Sequence, residues 1–231
     1  MKNHTVVIAG GTGALGQAVT RSFLQDGAVV LALYRDQAQF DALASSVGQS
    51  AGQLEGHRID VTDLAATRSL MDDAVRRLGG VEALVNTVGG YSGGVRVWEL
   101  DRSSLDHMLS LNLFSLHSLC AAAIPHMLKA GRGAIVNVSS KAALVPPPGA
   151  SAYAAAKAAA LAMMQSLTAE LRGTGVRVNS VVPNIIDTDA NRRAMPKADA
   201  TQWTGPADIA QTIRFLCSED ARAVHGAAIP V

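Results

Sequence analysis

Tyr153 and Lys157 stand four residues apart in an alanine-rich stretch, S-A-Y-A-A-A-K, so a helix puts both side chains on one face. A phenol beside an ammonium is a proton donor whose anion is stabilised. A free tyrosine has a pKa of about 10, and a nearby positive charge favours its ionised form. Ser140, thirteen residues before the tyrosine, can donate a hydrogen bond into the same small volume. The apolar, β-branched run Ala134–Val138 reads as the strand that delivers Ser140. Pro146–Pro148 and Gly149 exclude helix or strand just beyond it. Ser151 is the expected N-cap of the helix that follows. A lone Y-x-x-x-K commonly marks an ordinary helix surface. It becomes chemistry only if a dinucleotide site exists elsewhere in the chain.

Such a site is written at the N-terminus. Thr5–Ala9 is a short apolar run that suits a buried parallel strand. It runs into Gly10-Gly11-Thr12-Gly13-Ala14-Leu15-Gly16 and then a helical pattern. Gly10 permits the tight turn, Gly13 lets backbone amides approach a diphosphate, and Gly16 lets helix and strand close up. The helix N-terminus adds partial positive charge. The second strand, Ala28–Leu33, ends at Tyr34-Arg35-Asp36. An acid there favours NAD, and an arginine favours the 2′-phosphate of NADP. Tyr34 stands where the acid would be and Arg35 follows, so NADP(H) is favoured over NAD(H). Asp36 is either a helix cap or a ribose ligand, which keeps NAD open. Asp60, at the end of the third strand, is a candidate adenine contact.

The rest of the chain frames these pieces. It has 231 residues, a net charge of +1 and 48% hydrophobic residues, enough for one sizeable core. The near-neutral charge gives no field for nucleic acid. Cys120 and Cys217 are far apart and outside any metal spacing. A metal site is not expected, and a reducing cytoplasm is. No membrane span is expected, and the opening MKNHTVVIAGG is too poor in apolar residues for a signal peptide. A fourth strand, Val81–Asn86, runs into a loop with four glycines in residues 89–94. A long helix is expected over Leu105–Met127, with the poor helix former Asn112 in its middle. A sixth strand, Val176–Val182, ends at Pro183. The polar segment at about 185–205 is long for a connection and reads as a mobile lid. One domain over residues 1–231 is expected. The long helices around 105–127 and 152–172 are apolar enough to pair with a second copy.

Taken in order, the glycine turn, Asn86, Asn112, Ser140 and Tyr153-x-x-x-Lys157 resemble the short-chain dehydrogenase/reductase family over residues 5–231. The resemblance implies a doubly wound α/β fold of Rossmann type. Its seven parallel strands run in the order 3-2-1-4-5-6-7, with helices on both faces. It implies an NAD(P)-dependent oxidoreductase acting on a small carbonyl or secondary alcohol, commonly a homotetramer or homodimer. The catalytic set carries over as Asn112, Ser140, Tyr153 and Lys157. Asn86 and Gly89 match the family's N-N-A-G, here N-T-V-G, and Pro183 and Thr188 match its P-G-x-x-x-T, with Asn184 replacing glycine. The implied cofactor contacts are Gly10, Thr12, Gly13, Ala14, Leu15, Arg35, Asp60, Val61, Asn86, Gly89, Tyr153, Lys157, Pro183, Ile186 and Thr188. Tyr91, Leu144, Val145, Asn184, Met195 and Trp203 are the expected substrate wall. The turn departs from the usual T-G-x-x-x-G-x-G, since Ala14 replaces a glycine. Its spacing, and the loop at 89–94, are similar to dihydropteridine reductase. Ser140 and Arg35 favour the ordinary carbonyl reductases over that relative.

Overall fold

A computed structural model describes residues 1–48 and 52–231. Strands alternate with helices from the start: β1 (Thr5–Ala9), α1 (Ala14–Gln25), β2 (Val29–Tyr34), α2 (Gln37–Val47), β3 (Gln53–Arg58), α3 (Leu64–Leu78) and β4 (Ala83–Asn86). One continuous helical segment covers 102–130, as α4 (Arg102–Leu109), a π-helical turn (Ser110–Phe114) and α5 (Ser115–Ala130). Then follow β5 (Gly133–Val138), α6 (Ser151–Glu170), β6 (Val176–Val182), α7 (Asp189–Ala194), α8 (Pro206–Cys217) and β7 (Ala228–Pro230).

The strands form one parallel sheet in the order β3-β2-β1-β4-β5-β6-β7. Its central strands are apolar on both faces, as a sheet covered by helices on both sides requires. Val7, Leu31, Leu84 and Ile135 pack with Leu119, Met127, Ala160 and Met164 on the α3, α5, α6 side. Val6, Ile8, Val30, Val85 and Val136 pack with Val19, Phe23, Ile209 and Ile213 on the α1, α8 side. The strand order reverses between β1 and β4, so a crevice opens at their carboxyl ends. The candidate chemistry lies on the loops and helical segments that surround that edge.

Several local expectations are corrected. Ala150, not Ser151, caps α6, without a side-chain bond, and Ser151 is the first helical residue. Gly149 takes φ +77°, and the Ala150 amide bonds the Pro147 carbonyl at 3.3 Å, so the turn delivers the chain one residue early. The helix through Asn112 is interrupted by the π turn. By length and composition alone the 102–130 helix is apolar enough to cross a membrane. Half of its apolar window is buried inside the protein, as a core helix requires.

His225 completes the far edge of the sheet where β7 has not yet begun. Its Nδ1 accepts from the Val178 amide at 3.2 Å, and its Nε2 bonds the Thr168 carbonyl at 2.8 Å. Gly226 then donates to the Val178 carbonyl at 2.7 Å. A side chain and the next amide together stand in for one rung of a strand. Val178 is fully buried, so losing the ring strands a donor away from water. His225→Ala is expected to cost about 1–3 kcal/mol, read as a lower urea midpoint at unchanged slope.

Candidate active site

The glycine turn folds as its residue types require. Gly10 sits at φ +74°, and a Cβ there would lie 2.8 Å from Thr87 Oγ1 and 3.2 Å from the Val88 amide. A Cβ on Gly16 would lie 2.0 Å from the Gly10 carbonyl oxygen, which is backbone and cannot give. Only glycine therefore lets α1 start this close to β1. Gly13 precedes α1 in extended conformation and offers no side-chain cap. The first amides of α1, from Ala14 onward, are left facing outward for an anion.

Beside this turn lies a cleft of about 410 Å³, within the roughly 300–1,000 Å³ range of small-ligand sites. Gly10, Thr12, Gly13, Arg35, Asp60, Val61 and Gly89 line it, seven of the expected cofactor residues. Thr87, Val88, Gln39 and Leu111 line it as well. Gln39 escaped the sequence reading because nothing in α2 marks it. It is tied across the cleft by Thr12 Oγ1, which donates to its Oε1 at 3.3 Å. At the adenosine end Asp36 caps α2, accepting from the Ala38 and Gln39 amides at 2.9 and 3.3 Å. Asp60 accepts from the amide and hydroxyl of Thr62, which hold its carboxyl below the usual range, helped by the charge of Arg35. The cleft and its amides fit a dinucleotide: a diphosphate at the α1 start and a nucleoside between Arg35 and Asp60.

Other expected contacts do other work. Asn86 is buried; its Nδ2 donates to Asn137 Oδ1 at 3.0 Å and its Oδ1 accepts from the Val88 amide. It shapes the loop after β4 by joining it to β5. The Pro183 carbonyl accepts from the Lys141 amide at 2.8 Å, and Thr188 Oγ1 caps α7 through the Asn191 amide. Ile186 pairs with Thr204, which closes the base of the 185–205 segment into a two-stranded neck.

The catalytic candidates converge where β5 ends. Ser140 follows β5, and its hydroxyl accepts from the Ala142 amide at 3.2 Å. Lys157 is buried, and its Nζ donates to the Val138 carbonyl at 2.9 Å. Burial holds the Tyr153 phenol above its ordinary range, and Tyr91 adds to this; a hydrogen bond with Ser140 works against it. The Lys157 amine is turned to the Val138 carbonyl and takes no part in these shifts. Asn112 is buried in the π turn. Its Nδ2 donates to the carbonyls of Met108 and Gly90 at 3.1 and 3.2 Å, and its Oδ1 accepts from the Gly90 amide at 3.2 Å. A π turn inside an α-helix commonly marks a functional site. Gly89 joins the parts: a Cβ there would lie 2.8 Å from Asn112 Oδ1 and 2.9 Å from Lys157 Nζ.

Of the six wall residues, Tyr91 has a ring contact with Tyr153, edge-on at 5.1 Å. Leu144 and Val145 are exposed nearby in sequence to Ser140, Asn184 is exposed, and Met195 and Trp203 are half-buried in the 185–205 segment.

Burial also lowers Lys157 from 10.5 to about 8. Between those two pH values the unfolded chain holds a proton that the folded chain does not. Stability is therefore expected to rise as pH increases through that window. Lys157→Met is expected to flatten the rise, measured as urea midpoints of both proteins across it.

Comparison with known proteins fits this geometry. The family model described as short chain dehydrogenase matches residues 4–199. A 3-oxoacyl-[acyl-carrier-protein] reductase of Thermotoga maritima is 28% identical, covering 100% of this chain and 97% of its own. A 2-(S)-hydroxypropyl-CoM dehydrogenase of Xanthobacter autotrophicus is 31% identical, covering 100% and 96%. The crystal structure of a short-chain dehydrogenase/reductase from Burkholderia xenovorans superposes with TM-score 0.90 at 33% identity, covering 100% and 95%. An NAD⁺-bound xylitol dehydrogenase superposes with TM-score 0.92 at 19% identity, covering 100% and 98%, a likeness of fold alone. With the fold, the diphosphate turn and these matches in hand, the chain belongs to the short-chain dehydrogenase family, as an oxidoreductase that uses a nicotinamide dinucleotide on small molecules.

Proposed function

We propose that this protein is an NADP(H)-preferring carbonyl reductase or alcohol dehydrogenase working through Ser140, Tyr153 and Lys157. The observation that carries the reading is the convergence of those three groups and Asn112 at the carboxyl end of β5, next to the dinucleotide-shaped cleft. When bound, the nicotinamide supplies or takes the hydride. Gly10, Thr12, Gly13 and the amides of Ala14 and Leu15 hold the diphosphate; Asp60 and Val61 hold the adenine. Gly89, Pro183, Ile186 and Thr188 border the nicotinamide end. Ser140 binds the substrate oxygen. Tyr153 donates its phenolic proton to that oxygen in reduction and takes one from the alcohol in oxidation. Lys157 holds ribose hydroxyls and, when charged, stabilises the phenolate. Asn112 positions a water through which the phenol regains its proton. A phenol held high by burial stays protonated at neutral pH, the form a reductase needs.

Arg35 supports NADP(H), because Asp36 is spent on capping α2 and Tyr34 bonds Gln37 Oε1 at 2.7 Å. The cap draws the Asp36 carboxylate toward the α2 amides, and a phenol carries no charge to favour a free ribose. Tyr91, Leu144, Val145, Asn184, Met195 and Trp203 form the substrate wall, with the 185–205 segment as its lid. The relatives' names are those of dehydrogenases and a reductase, which supports carbonyl and alcohol substrates over a pterin. The reading includes a homodimer or homotetramer paired through the 102–130 helical segment and α6; on the former, Phe114 of the π turn and Leu128 of α5 stand exposed. It also places the protein in the cytoplasm, where the buried free thiols Cys120 and Cys217 stay reduced.

The test is a titration of the purified protein with NADPH and NADH, followed by ketone, aldehyde and pterin substrates. NADPH is expected to bind more tightly and a ketone or aldehyde to turn over. Tighter NADH binding, or turnover of dihydropterin alone, overturns the reading.

A further inference from the structure

Arg58 ends β3 directly beside Tyr34, its partner in the β2–β3 register. Its Nε donates to the Arg35 carbonyl at 3.1 Å. That bond fixes the backbone of the one residue on which the NADP(H) preference rests. It leaves the terminal nitrogens of Arg58 free to point elsewhere. Among the described residues, neither the Arg35 guanidinium nor those terminal nitrogens meets a carboxylate within ion-pair distance. Both residues are exposed. Of the acids on the same rim, Asp60 feels the charge of Arg35 without forming an ion pair with it. Asp36 is turned to the amides of α2, and Asp60 is turned to Thr62.

Two exposed arginines thus stand at one rim, joined through the Arg35 carbonyl, and neither forms an ion pair with a carboxylate among the described residues. Such a pair is stabilised by a ligand carrying more than one negative charge. A phosphate monoester carries close to two at neutral pH. Each guanidinium also presents several N–H donors in a fixed fork that suits phosphate oxygens. The N-terminus of α2 opens beside them and adds the same sign of field.

We infer that Arg58 is a second arginine of a 2′-phosphate subsite, holding the Arg35 backbone in place through Nε and binding the phosphate with its terminal nitrogens. The inference rests on the NADP(H) reading, and its test separates the two. The probes are 2′,5′-ADP, which carries the distinguishing phosphate, and 5′-AMP, which lacks it. Binding of each is measured by calorimetry on the unmodified protein and on the Arg58→Gln and Arg35→Gln variants. Thermal melts without ligand check that each variant is folded.

Arg58→Gln is expected to weaken 2′,5′-ADP by about tenfold or more, the scale of a lost charge-assisted hydrogen bond, and to leave 5′-AMP unchanged. The preference of the unmodified protein for 2′,5′-ADP is expected to fall as salt rises. If Arg58→Gln leaves 2′,5′-ADP binding intact while Arg35→Gln weakens it, Arg58 is not part of the subsite and the NADP(H) reading survives. Equal weakening of both probes overturns the inference too, since it marks a general role at the adenosine. If the unmodified protein binds 5′-AMP as tightly as 2′,5′-ADP, the NADP(H) reading fails and the subsite with it.

Discussion

Tyr153→Phe is expected to lower kcat by roughly 10²–10⁴, the usual worth of a positioned acid–base group, while dinucleotide affinity stays unchanged. The substitution deletes one oxygen and keeps the ring. The edge-on contact with Tyr91 depends on the rings, so it survives. Ser140 keeps its bond to the Ala142 amide, and Lys157 keeps its bond to the Val138 carbonyl. The cleft residues from Gly10 to Val61 lie on other elements and are untouched. What disappears is the proton that burial keeps on the phenol. A fall in kcat with an intact NADPH titration identifies Tyr153 as the proton donor. Normal turnover on the true substrate removes it from that role. The pH profile adds a second readout: in the oxidation direction a phenol held above its ordinary range makes the unmodified protein's rate rise toward alkaline pH. Tyr153→Phe is expected to lose that rise.

The parts of this site that were legible in the sequence are those set by local periodicity. Tyr153 and Lys157 share a face because a helix repeats every 3.6 residues, and the glycine turn declares itself by residue type. Asn112 was legible as a misfit in a helix, but the π turn around it was not. That turn depends on Gly90 coming close enough to bond both ends of the amide. The side-chain partner of Asn86 was not legible, because it is set by register. Only the pairing of β4 with β5 puts it opposite Asn137, where its side chain is consumed. Lys157 shows the same limit. Its spacing from Tyr153 is local, yet its amine is drawn to a carbonyl at the end of β5. Gln39 and Thr12 meet across the cleft only because α2 folds back over the first turn. Spacing along the chain reports which residues share an element, and long-range pairing decides which atoms are spent.

Gly89→Ala is expected to be the second most damaging change, although it adds a single methyl. The new carbon would sit 2.8 Å from Asn112 Oδ1 and 2.9 Å from Lys157 Nζ, closer than real Cβ contacts allow. Both neighbours must give. Asn112 is held by bonds to Gly90 and Met108. Lys157 is held by one bond, to the Val138 carbonyl, and its amine is the far end of a flexible chain. The lysine therefore gives way further than Asn112, and it has little free space, since it is buried. A displacement of about 1 Å in a catalytic group can cost roughly 10² in rate, so kcat is expected to fall by about that factor. Gly89 also lines the dinucleotide cleft, so dinucleotide binding is expected to weaken as well, and the loss of turnover is read as kcat at saturating dinucleotide. The mechanism is checked by combining the change with Lys157→Met. If Gly89→Ala acts by moving Lys157, it adds little once the amine is gone, because the two effects share one cause. Multiplying effects in the double variant would instead place the damage on Asn112 or the loop. Rescue of Gly89→Ala by shortening the neighbour is not expected from Lys157→Met, because the charge that stabilises the phenolate is lost with the clash.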